Sequence, residues 1–163
     1  MPAPGGRRRS ATVPSFRDER RVRHKAEEMF DLVADVERYP EFVPLCTALR
    51  VRSRRPGKDG RETLVADMTV GYKVIRERFT SRVMLDKPRL RVVVRYIDGP
   101  FSHLENIWTF RDEGDGGSRI GFFIDYEFRS RTLGSLMGSM FDAAFRKFAR
   151  AFEERADAVY GRA

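Results

Sequence analysis

The sequence predicts an α+β domain in which a curved antiparallel sheet of about six to seven strands holds one long C-terminal helix. Two patterns carry this prediction. From Cys46 to Phe128 apolar residues recur with period two between the turn clusters RPGKDG, DKP, DGP and EGDGG, the signature of consecutive strands. From Thr132 to Tyr160 the period becomes helical, with Met137, Phe141, Ala144, Phe145, Phe148 and Phe152 on one side and Asp142, Arg146, Arg150, Glu153 and Asp157 opposite. A helix of ~40 Å at 1.5 Å per residue needs a large apolar partner. The inner face of a twisted sheet is the only candidate of that size.

The remaining elements follow in chain order. Residues 1–14 are rich in Pro, Gly and Arg and are expected to form a disordered basic leader, with the folded domain over 15–163. The leader has no apolar segment of the kind a secretory signal needs. A short strand is expected from Phe16 to Val22. In KAEEMFDLVADV, Met29, Phe30, Leu32, Val33 and Val36 make an apolar helical stripe, with Glu27 and Glu28 favourably placed in its first turn. Its start is weak, because His24 and Lys25 stand where a Ser, Thr or Asp cap is expected. Pro40 and Pro44 then end helical structure. They leave YPEFVPLC as an aromatic loop in which Tyr39 and Phe42 either close a pocket mouth or pin the chain.

Strand alternation sorts side chains into two faces. Inward go Ile75, Glu77, Phe79, Ser81, Val83 and Leu85 of the first clear strand, then Leu90, Val92, Val94 and Tyr96 of the next. After the turn at DGP, Phe101 is placed at a cavity rim while Leu104, Asn106, Trp108 and Phe110 face inward. Ile120, Phe122, Ile124, Tyr126 and Phe128 complete that face. A wall of this kind, apolar with a few polar handles, is what a ligand cavity needs. The expected lining is Tyr39, Phe42, Glu77, Phe79, Val92, Val94, Leu104, Asn106, Trp108, Phe122 and Ile124, closed by Met137 and Phe141 of the helix. Glu77 is the unusual member. A carboxylate in an apolar interior must face a ligand head or water, or pair with a core arginine. Gly134 and Gly138 lower helix propensity near the helix start, which either close approach of a ligand or of the rim loop, or fraying of the helix near its start, rationalises. Leu133, Leu136, Met137 and Met140 offer an adaptable apolar surface there.

The opposite face carries Arg76, Arg78, Arg82, Arg89, Arg91 and Arg95. With a net charge of +8 and a pI near 10.1, this face suits anionic lipid head groups, acidic protein or ribosomal RNA of the large subunit. No aromatic residues alternate with these arginines, so base stacking is not expected. Other classes are disfavoured. The single Cys46 and the two histidines, His24 and His103, form no ligand spacing for a metal. Cys46 reads as a small buried hydrophobe and His103 as a surface residue. No apolar run approaches the ~18 residues of a transmembrane helix. No catalytic constellation stands out either, with Glu77 and Tyr126 the only inward acid–base candidates. The chain therefore reads as an intracellular binding protein without cofactor.

Three stretches carry a closer resemblance: FDLVADVERYPEFVPLC at 30–46, DGPF followed by LENIWTF at 98–110, and DYEFRSRTLGSLMG at 125–138. Together with the element order they resemble the ubiquinone-binding START-like family, which has the helix-grip fold. Its bacterial members include ribosome-association toxins and are also described as polyketide cyclase/dehydrase-like. The sequence departs from the family at Lys25, usually a small polar cap, and at Leu45, where many relatives carry Trp. The resemblance implies binding of an isoprenoid quinone between sheet and helix, in support of respiratory electron transfer or quinone biosynthesis. It also implies peripheral contact with the inner membrane face from the cytoplasm, or a place in the mitochondrial matrix of a eukaryote. Ribosome association through the basic face is the alternative it carries, and an aromatase- or cyclase-like enzyme the third.

Overall fold

The computed structural model describes residues 15–161; the leader expected at 1–14 lies outside them. Seven strands form one sheet: β1 (Ser15–Val22), β2 (Cys46–Pro56), β3 (Arg61–Tyr72), β4 (Ile75–Asp86), β5 (Arg91–Asp98), β6 (Phe101–Asp112) and β7 (Ser118–Phe128). Their order is β1-β7-β6-β5-β4-β3-β2. Every neighbouring pair is antiparallel. Between β1 and β2 stand a helix, α1 (Ala26–Ala34), and a 3₁₀ turn over Val36–Glu41. The chain then closes with α2 (Arg131–Tyr160).

The missing cap of α1 is supplied from far away in sequence. Asp112, the last residue of β6, accepts a hydrogen bond from the Ala26 N–H at 2.9 Å, while Glu28 accepts from the Lys25 N–H at 3.1 Å. Two of the unpaired donors at this helix start are thereby satisfied. Helix α2 starts conventionally, with Ser130 accepting from the Leu133 N–H at 3.2 Å. No close approach accounts for its glycines, since a Cβ at Gly134 would make only ordinary contact with Phe128 and one at Gly138 would meet open space.

Helix α2 lies along β1 and β7 and touches α1, burying Met137, Phe141, Phe145 and Phe152 against the sheet. Among the described residues, the ion pairs joining it to other elements all fall between 153 and 157. Glu153 meets Arg20 at 2.6 Å, Asp157 meets His24 at 2.7 Å, and Arg155 meets Glu41 at 2.5 Å. The C-terminal half of α2 is thus clamped to β1, to the segment before α1 and to the 3₁₀ turn. Its first half is held by apolar packing.

The DGP turn between β5 and β6 packs tightly on β4. Gly99 has φ of 142°, and a Cβ there would fall 2.5 Å from the Cβ of Phe79, so only glycine fits. The Tyr96 hydroxyl accepts the Phe101 N–H at 3.1 Å. Phe101 does not stand at a cavity rim. It is fully buried, ringed by Phe79, Tyr96, Tyr126, Phe128 and Phe141 at centroid distances of 4.8 to 6.3 Å. Such offset and edge-on aromatic packing makes it a core anchor.

Candidate functional site

A cavity of about 100 Å³ lies between the sheet and α2. Its floor comes from the inner residues of β2 to β7 and its roof from Phe141, Ala144, Phe145, Phe148 and Phe152. One side is closed by Val36, Tyr39, Pro44 and Leu45. The Tyr39 hydroxyl donates to the Val33 carbonyl at 2.5 Å and its ring packs edge-on against Phe152. Burial raises its phenol far above the usual range, so Tyr39 acts as a fixed wall. Leu45 reaches the cavity from a left-handed backbone, φ 68°, an uncommon conformation for a bulky residue and one found where local structure is over-determined.

Of the residues read from sequence as lining, Tyr39, Phe79, Val94, Leu104, Asn106, Trp108, Ile124 and Phe141 face this space. Five do not. Val92, Phe122 and Met137 are 1%, 2% and 1% exposed and pack in the solid core to the sides; Phe122 lies 4.7 Å from Trp108 by ring centroids. Phe42 turns away from the cavity to a shallow groove beside Asp35, Arg155 and Tyr160, where it packs edge-on against Phe152 at 4.9 Å. Glu77 has the inward phase but sits opposite Val70 near the β3–β4 hairpin, half-buried and, among the described residues, without an ion pair. Although Val70 opposite it and Phe79 beside it on β4 line the cavity, Glu77 does not, and among the described residues it meets no core arginine. Tyr126, the other acid–base candidate, is enclosed by Phe141 and Phe145, and burial raises its phenol.

The sequence reading missed the contribution of β2 and β3. Leu49, Ala66, Met68 and Val70 line the cavity, and their alternation with Arg50, Asp67 and Thr69 was the available signal. Among the described residues no charged side chain lines the space. Its polar groups are those of Ser81, Asn106 and Tyr39 and the indole N–H of Trp108. Asn106 donates one amide N–H to the Phe123 carbonyl at 2.8 Å, leaving its other N–H and its oxygen uncommitted.

On the outer face, Arg76, Arg78, Arg82, Arg89, Arg91 and Arg95 are all exposed. Arg95 pairs with Glu105 at 3.1 Å; among the described residues the other five form no ion pair. His103 pairs with Asp125 at 2.9 Å on the same face. Cys46 is buried, with its thiol pushed up to about 11 by burial, which suits a packing role and not a nucleophile.

A family model described as polyketide cyclase / dehydrase and lipid transport matches residues 22–153. The chain belongs to this family. Among its relatives in the polyketide cyclase/dehydrase and lipid transport family, ribosome association toxin RatA of Rickettsia prowazekii is 32% identical over 148 residues, covering 89% of this chain and 97% of that protein. Coenzyme Q-binding protein COQ10 homolog B, mitochondrial, of Xenopus laevis is 33% identical over 140 residues, 83% of this chain and 55% of that longer protein. In fold the chain is START-like. It superposes on a START superfamily protein from Mycobacterium smegmatis with TM-score 0.74 and 18% identity, over 89% of this chain and 98% of that one.

Proposed function

We propose that the unit from residue 15 to 163 binds an isoprenoid quinone under α2 and acts as a lipid chaperone for respiratory electron transfer or quinone biosynthesis, with residues 1–14 as a basic leader outside it. The observation that carries this reading is an apolar cavity roofed by an aromatic helix and lined by neutral groups only. Burial of the tail at ~25 cal/mol per Å² supplies most of the affinity, and the polar wall orients the head. A binding role is favoured over turnover because neither Glu77 nor Tyr126 lines the cavity. The coenzyme Q-binding name of a 33% identical relative supports the same ligand class.

The cavity bounds how the ligand enters. Apolar cavities of ~150 Å³ accept a benzene ring, so about 100 Å³ suffices for a ring only with widening. An isoprenoid chain needs α2 to lift. Among the described residues the ion pairs that join it to other elements are confined to 153–157, which leaves the first half free to do so. Tyr72, Val74, Ile97 and Leu136 are exposed, Val74 at 98%, where β3, β5 and β7 end and α2 begins. Beside them stand Arg76 and Arg78. An apolar rim with cations suits peripheral contact with an anionic bilayer, from which a lipid enters directly. The deciding experiment is purification from the membrane fraction followed by organic extraction and mass spectrometry. Stoichiometric isoprenoid quinone supports the proposal; a protein that stays empty after incubation with quinone-loaded vesicles defeats it.

The five arginines that form no ion pair among the described residues favour a second reading, ribosome association through the outer face, in line with the name of the 32% identical relative. It requires co-sedimentation with large subunits that weakens steeply with salt. Replacing Arg78, Arg82 and Arg91 by Glu should abolish it, and unchanged co-sedimentation would remove this reading.

A further inference from the structure

We infer that Ser81 is the polar anchor of the cavity, its hydroxyl donating the hydrogen bond that holds a carbonyl oxygen of a neutral, otherwise apolar ligand. The inference rests on the cavity reading above and specifies which end of the ligand the protein recognises, and how.

Ser81 is 5% exposed, lines the cavity, and its Oγ has no hydrogen-bond partner among the described residues. A buried hydroxyl without a partner is costly, and the nearest polar strand neighbours bond elsewhere. Thr80, the adjacent residue, donates to the buried carboxylate of Asp67 at 2.5 Å. Tyr96, opposite Ser81 on β5, holds the Phe101 N–H, and Tyr39 is committed to the Val33 carbonyl. Ala66, opposite on β3, offers no polar side chain. The β3–β4 register is unbroken, with Asp67 opposite Thr80 and Ala66 opposite Ser81, so Ser81 points inward while Thr80 is buried on the other face beside Asp67.

Alanine would fill the same place without an unpaired donor. The hydroxyl is therefore a feature whose partner arrives from outside: water in the empty protein, a ligand acceptor in the complex. The lining fixes the chemical class of that acceptor. With no cation in the wall, an ionised carboxylate or phosphate has nothing to balance it, whereas a ketone or quinone carbonyl needs only a neutral donor. Asn106, on β6 beyond the Val83–Val94 pair, has a spare amide N–H for a second oxygen.

The test compares two probes by isothermal calorimetry: a benzoquinone bearing a ten-carbon saturated tail, and the oxygen-free phenylalkane with the same tail. Wild-type protein should prefer the quinone. Ser81→Ala should weaken quinone binding about 3- to 10-fold, the loss of one net hydrogen bond, leave phenylalkane binding unchanged, and unfold at a temperature no lower than wild type without ligand. Equal loss for both probes would mean that Ser81 only packs. Unchanged quinone affinity, or a wild type that binds both probes equally, would overturn the anchor while leaving the cavity intact. Failure of the wild type to bind either probe would defeat the cavity reading and the anchor with it.

Discussion

Arg82 of β4 and Arg95 of β5 face one another directly across the sheet on its outer surface. Like charges in opposed positions disfavour strand pairing, and only Arg95 has a compensating partner, Glu105 at 3.1 Å. Arg82→Glu turns the repulsive pair into an attractive one. Its expected effect is a thermal midpoint equal to or above wild type together with weaker retention on heparin. A lowered midpoint would show that Arg82 supports the sheet in some other way.

Trp108 is the only tryptophan in the chain and lines the cavity between Phe152 and the inner strands. A quinone bound there should quench its emission in a saturable titration, whereas a quinone bound at the outer face should leave it nearly unchanged. Trp108→Ala should destabilise the protein by ~3–5 kcal/mol in urea unfolding, the usual range for removing a large core aromatic.

The thiol of Cys46, held near 11 by burial, sets a pH dependence. The unfolded thiol ionises near 9, so the folded state binds the proton more tightly, and this stabilisation is complete below pH 9 and lost as pH rises towards 11. Iodoacetamide at pH 8 should modify Cys46 slowly in native protein and rapidly in urea. Cys46→Ala should flatten the alkaline limb of the stability profile.

Much of this architecture was legible in the sequence because strand phase and helix period are local properties. The six strands after residue 46, the long helix and the inward direction of Leu104, Asn106 and Trp108 all follow from alternation. Depth along a strand does not. Phe101 and Glu77 share the inward phase with the cavity residues, yet one is sealed in an aromatic cluster and the other lies near a hairpin. Nothing in the period distinguishes them. Phe42 was misplaced because a 3₁₀ turn precedes it, with a side-chain rotation that neither strand nor helix spacing describes. Ser81 was recognised as inward, but whether a hydroxyl is satisfied depends on neighbours from other strands.

The cap of α1 provides a further test of long-range dependence. Asp112→Ala should cost about 1 kcal/mol in chemical denaturation, as for other lost helix caps, although it lies 86 positions from Ala26. Hydrogen exchange should quicken at Ala26–Met29 and not elsewhere in α1. A uniform change across the sheet would assign Asp112 a different role.

Among the described residues the first strand pairs with the last, β1 with β7 from Ser15–Asp125 to Val22–Ser118. During synthesis residues 15 to 22 emerge long before their partner exists, and the aromatic stripe of α2 follows later still. Contacts this distant in sequence make folding slow. The sheet cannot close until β7 has left the translating machinery, and until then its apolar face is open to any chaperone or lipid nearby.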